Sequence, residues 1–167
     1  AMYQEQELRM YQETVKELFS FIESSPSVFH AVENMKGMLE EEGYAQLLES
    51  RRWELLEGGK YYVIRNGSSI IAFRIPKRDF TGFQIMASHS DSPSFKIKEH
   101  PEMEADHAYV RLNVEKYGGM LMAPWFDRPL SVAGRLIVKE QGRIAVKLVS
   151  VDRDLVLIPN LAIHMNR

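Results

Sequence analysis

The sequence predicts a mixed α/β fold, and three observations carry the prediction. Apolar residues recur at steps of three and four in two early segments, the spacing of amphipathic helices. After about Gly58 the apolar segments become short and rich in β-branched and aromatic residues, the composition of strands. Beyond Ser92–His100 no helical pattern returns, so a helix-and-strand region gives way to one that is nearly all strand. That change places a domain boundary near Ser92–His100 and divides the chain into residues 2–93 and 94–167.

The first helix is read from Leu8, Tyr11, Val15, Leu18, Phe19 and Ile22, with Glu, Gln and Lys on its other face. Ser24-Ser25-Pro26-Ser27 breaks it, and Ser25 with Pro26, or Ser27 alone, starts a second helix. Val28, Ala31, Val32, Met35 and Leu39 form the buried stripe of that helix, and Gly43 stops it. Glu40-Glu41-Glu42 reads as a solvated last turn, although acid there opposes the helix dipole. Lys60–Arg65 and Ser69–Ile75 are strands joined at Asn66-Gly67, a hairpin signal because both residues tolerate positive φ. Residues 76–82 form a charged loop. Phe83-Gln84-Ile85-Met86-Ala87 has the look of a short buried strand and leads directly into His89-Ser90-Asp91-Ser92-Pro93. Phe95–Lys98 and Tyr109–Val114 are expected strands, and Tyr117-Gly118-Gly119 a turn or bulge. Ser131–Lys139 and Arg143–Val149 flank Gln141-Gly142 as a second hairpin, with Leu155–Ile158 a last strand before Pro159.

Composition removes several classes of function. The 167 residues are 45% hydrophobic and 26% charged, ordinary for a globular protein. A net charge of −2 gives no basic excess for nucleic acid or an anionic membrane surface. Cysteine is absent, so any metal site must use His, Asp and Glu, and a cytoplasmic setting is expected. No apolar run approaches the roughly 18 residues of a membrane span. The start of the chain is polar and acidic, unlike a signal peptide, and Ala1 ahead of Met2 looks like the remnant of an expression tag. The Gly-x-Ser-x-Gly elbow, the P-loop, the dinucleotide glycine fingerprint and the His-Glu-x-x-His helix are all missing.

His89 and Asp91 are the leading candidates for chemistry. Residues i and i+2 of an extended segment face the same side. A histidine there can ligate a metal through one ring nitrogen while the carboxylate binds the same ion or orients the ring. The ends of strands also carry functional groups in open α/β sheets. The triplet is not rare in itself: five His and 23 acidic residues give about 0.7 His-x-acid triplets by chance, and the sequence has two. The other, His100-Pro101-Glu102, reads as an exposed loop, as does His107 among Glu102, Glu104 and Asp106. His30, beside Phe29, reads as a partly buried helix histidine, and His164 has no role that local sequence assigns. The most unusual stretch runs from Tyr117 to Leu130. Trp125 and Phe126 supply apolar area there, and Asp127 with Arg128 can form a charged pair. It is either a turn pinned by aromatic packing or a substrate- or subunit-facing segment.

Four motifs in fixed order resemble the aspartyl aminopeptidase family of two-metal exopeptidases. They are Ser25-Pro26-Ser27-Val28-Phe29-His30-Ala31-Val32, Ala87-Ser88-His89-Ser90-Asp91-Ser92-Pro93, Tyr117-Gly118-Gly119 with Trp125-Phe126-Asp127-Arg128-Pro129-Leu130, and residues 158–167. The resemblance implies the N-terminal portion of a zinc-exopeptidase α/β domain over residues 2–93, followed by the β-rich start of an inserted dimerisation domain over 94–167. It implies that His89 binds one of two zinc ions and that Asp91 orients His89. It also implies that His164 contacts metal or substrate in a neighbouring subunit of a homo-oligomer. The implied reaction removes N-terminal residues, often acidic, from peptide substrates by attack of a metal-bound water. Family members are longer, and the resemblance places the remaining metal ligands and the general-base glutamate beyond Arg167. Glu40, Glu41 and Glu42 do not match that glutamate and its metal-binding neighbour. The 167-residue chain is therefore expected to be inert alone. The alternative is a truncated, non-catalytic binding or assembly module.

Overall fold

In the computed structural model, residues 2–105 and 107–165 are described. Ala1, Asp106, Asn166 and Arg167, which the sequence reading touches, lie outside the described residues. The chain forms two compact units, residues 1–91 with 133–151 and residues 92–132 with 152–167.

The first unit opens with helix α1 (Met2–Ser24), followed by α2 (Val28–Glu41). Ser27 takes the extended N-cap conformation, but its hydroxyl pairs with His30 Nδ1 at 2.8 Å rather than with a backbone N–H of the first turn. Asn34 Nδ2 lies within 3.0 Å of Ser24 O, Ser24 Oγ and Ser25 Oγ, tying the interhelical turn to α2. Gly43, at φ +80°, ends α2: its N–H donates to Glu40 O and that of Tyr44 to Leu39 O, the paired bonds of a Schellman stop.

A three-stranded sheet follows in the order β1 (Ala45–Gln46), β2 (Lys60–Arg65), β3 (Ser69–Arg74), with β1–β2 parallel and β2–β3 antiparallel. Asn66 at φ +55° and Gly67 at φ +65° make the β2–β3 turn, as their residue types require. Tyr61, Tyr62 and Val63 of the central strand are buried, as are Ala31 and Val32 of α2. Val28, Met35 and Leu39 are only half-buried, so the buried stripe of α2 is narrower than its periodicity suggests. Glu40 is not simply a solvated end residue, because it accepts a 2.6 Å hydrogen bond from the Tyr62 hydroxyl.

The hairpin β6 (Ala133–Glu140) and β7 (Arg143–Ser150) turns at Gln141 and Gly142, both at positive φ. It groups with the first unit although it lies far along the chain. Arg135 supplies a link: its guanidinium sits 4.1 Å from the centre of the Phe29 ring, and Nη1 donates to Asn66 O at 2.7 Å.

The second unit contains the antiparallel ribbon β4 (Ser94–Ala105) and β5 (Tyr109–Tyr117), longer than the strands read from sequence. His100-Pro101-Glu102 is not a loop but part of β4, where the register shifts between Ile97 and Glu102 and His100 takes φ +50°. Gly118, at φ +77°, turns the chain beside Pro93, which a Cβ there would meet at 3.4 Å. A 3₁₀ turn at Ala123–Trp125 follows, with Trp125 edge-on to Phe95 at 5.4 Å.

Two expected strands are absent. Residues 83–87 form no strand and are unpaired, with Ile85 85% and Met86 99% exposed, because no neighbouring strand among the described residues offers them hydrogen bonds. Residues 155–158 reduce to a single bridge between Val156 and Leu130. No helix among the described residues is long and apolar enough to cross a membrane.

Candidate functional site

His89 follows the unpaired run 83–87 and belongs to the first unit. Its Nδ1 lies 2.8 Å from the Asp91 main-chain carbonyl and 3.4 Å from Asp91 Oδ1. A carbonyl oxygen can only accept, so Nδ1 is the donor in this bond, and in the neutral ring the lone pair is then on Nε2. The side chain is 81% exposed and that of Asp91 39%. Metal-binding imidazoles commonly have their second nitrogen held in this way, so the arrangement is compatible with metal binding. The main chain of Asp91 does as much of the holding as its carboxylate. Ser90 lies between them, and its hydroxyl donates to Ser68 O at 3.3 Å, fixing the triplet to the end of the β2–β3 hairpin. Sequence gave no signal for that bond, which joins residues 22 positions apart.

His164 lies on an exposed turn of the second unit, closed by Met165 N–H donating to Ala162 O at 2.8 Å. His30 is half-buried and engaged with Ser27, as a structural histidine would be. Among the described residues, no three or more of His, Asp and Glu gather where they could hold a metal ion. The donors present therefore fit one arm of a metal centre and do not by themselves fit a complete one.

The expected Asp127–Arg128 ion pair is not formed. Arg128 Nη1 points to Pro124 O at 3.4 Å, while Asp127 Oδ1 accepts the N–H of Asn160 at 2.9 Å. Asp127 N–H donates to Ile158 O at 3.0 Å, and the backbone of Leu130 bonds that of Leu155 and Val156. Local sequence could offer Asp127 only an adjacent cation. Its actual partner is 33 residues away.

Residues 21–167 match the family described as Aminopeptidase I zinc metalloprotease (M18). The "Probable M18 family aminopeptidase 2" of Clostridium acetobutylicum is 47% identical over 159 residues, covering 93% of this chain and 37% of that protein. Among solved structures, mApe1 of Chaetomium thermophilum superposes with a TM-score of 0.84 at 39% identity, covering 89% of this chain and 35% of that one. The S. cerevisiae mApe1 dodecamer gives 0.80 at 31% identity, covering 90% and 36%. The chain thus spans little more than a third of the length of these relatives. With 147 consecutive residues matched and the fold shared, the chain belongs to the M18 family of zinc metalloprotease aminopeptidases.

Proposed function

We propose that this chain supplies one arm of the active centre of an M18 aminopeptidase that removes N-terminal, acidic residues from peptides. The observation that carries the reading is His89, whose Nδ1 is held by Asp91 while Nε2 is left free to bind a metal. Zinc bound in such a centre, as one of two ions, polarises the scissile carbonyl and activates water. His89 is a ligand, and Asp91 fixes its tautomer and direction. His164 reaches metal or substrate in a neighbouring subunit of a homo-oligomer, a role in keeping with its exposed turn and with the dodecameric relative. Residues 2–93 are the peptidase part and 94–167 open an inserted dimerisation domain. The 167 residues alone are inert, since one ligand does not hold a two-metal site. The absence of cysteine supports a cytoplasmic setting.

The test uses the family-length protein carrying this sequence. His89→Ala should lose bound zinc and at least about 100-fold in activity on peptides with N-terminal Glu or Asp, with stability within about 0.5 kcal/mol of the zinc-free parent because the ring is exposed. Full activity in that variant would refute the ligand assignment. Equal turnover of neutral N-termini in the unsubstituted protein would refute the acidic preference.

A further inference from the structure

We propose that Asp127 is a positioning residue for His164, holding the segment 158–165 from below so that the imidazole is presented at a fixed place. The inference rests on the reading of His164 given above.

Consecutive bonds run from Asp127 toward the histidine. The Asp127 N–H takes Ile158 O at 3.0 Å, and its carboxylate takes the Asn160 N–H at 2.9 Å. Asn160 Oδ1 then accepts the Leu161 N–H at 2.9 Å. Met165 N–H closes the turn on Ala162 O at 2.8 Å. His164 is the titratable side chain of that turn, flanked by exposed Leu161, Ile163 and Met165. An exposed apolar turn has no packing of its own to fix it, so its geometry depends on the bonds at its base.

Asp127 is itself fixed from the other side. The 3₁₀ turn Ala123–Trp125 precedes it, and Trp125 packs edge-on against Phe95 of β4. Asp127 sits at φ +54°, a left-handed conformation that asparagine and aspartate accept better than other non-glycine residues. Position 127 thus demands two properties at once, tolerance of positive φ and an acceptor oxygen. Glycine has only the first and alanine neither. Asparagine has both, since its amide oxygen can replace the carboxylate as acceptor.

That difference makes the test. In the 167-residue protein, amide hydrogen exchange at Asn160 and the ring signals and relaxation of His164 are recorded by NMR for the parent, Asp127→Ala, Asp127→Gly and Asp127→Asn. Asp127→Ala and Asp127→Gly should speed Asn160 exchange about tenfold and give His164 the averaged signals of a free histidine. Asp127→Asn should keep the parent pattern, and β4–β5 amide signals unchanged in all variants show that the ribbon remains folded. Unchanged His164 signals in Asp127→Gly would overturn the proposal, as would Asp127→Asn behaving like Asp127→Ala. Kinetics on the family-length enzyme separate the two readings. If His164→Ala has no effect on turnover, the role of His164 fails and the NMR result still stands. If His164→Ala slows turnover and Asp127→Gly does not, the positioning role fails.

Discussion

Tyr62 is fully buried in the first unit, and Glu40 accepts the hydrogen bond of its hydroxyl at 2.6 Å. Burial, and next the bond to Glu40, pushes its pKa up from 10.0 to about 12. The native protein therefore holds this proton more tightly than the unfolded chain does. The resulting stabilisation is complete below about pH 10 and is lost as pH rises through about 12, where the native hydroxyl also ionises. Its size is on the order of 2 kcal/mol. Tyr62→Phe should cost about 1 kcal/mol at pH 8 and show a correspondingly smaller fall in stability between pH 10 and 12. Urea unfolding at a series of pH values reads both. An alkaline decline equal to that of the parent would mean that Tyr62 is not its source.

At the scale of elements, the unpaired run 83–87 separates local from tertiary information. Hairpins were legible in the sequence because their turns are local chemistry: Asn66, Gly67 and Gly142 take the positive φ that their residue types favour, and Gln141 follows at the turn that Gly142 makes. The stop of α2 at Gly43 was legible for the same reason. The nearness of the His89 and Asp91 side chains, 3.4 Å apart, was legible from their i, i+2 spacing, whereas the shorter bond to the Asp91 main-chain carbonyl was not. A strand is different, since its hydrogen bonds belong to a neighbour. Phe83–Ala87 has strand composition, yet its backbone is unpaired among the described residues, and residues 155–158 keep only one bridge. Arg135 to Asn66 and Asp127 to Asn160 were illegible because nothing near those residues marks so distant a partner. The exposed run leads to a prediction. Ile85→Asp should shift the melting free energy of the 167-residue protein by less than about 0.5 kcal/mol, because no packing is lost, and should lower self-association and binding of a hydrophobic dye. Sedimentation, dye fluorescence and thermal melting test it. A loss of several kcal/mol would show instead that 83–87 is a buried strand in solution.

For the whole molecule, the distribution of donors sets how metal and stability are linked. A catalytic zinc takes three protein ligands and a structural zinc four. The described residues gather no such group, so as the proposed ligand His89 would offer zinc one imidazole and one bond. A ligand stabilises a fold only to the extent that it is bound to the native form at the concentration used. Micromolar zinc, or its removal by a chelator, should therefore leave the melting temperature of the 167-residue protein unchanged to within about 1 °C, and calorimetric titration should show no stoichiometric tight site. The family-length protein should behave in the opposite way, with chelation lowering its melting temperature and His89→Ala abolishing that dependence. One mole of tightly held zinc per 167-residue chain, lost on His89→Ala, would mean that these residues complete a metal centre by themselves. The reading of His89 as a single arm would then have to be given up.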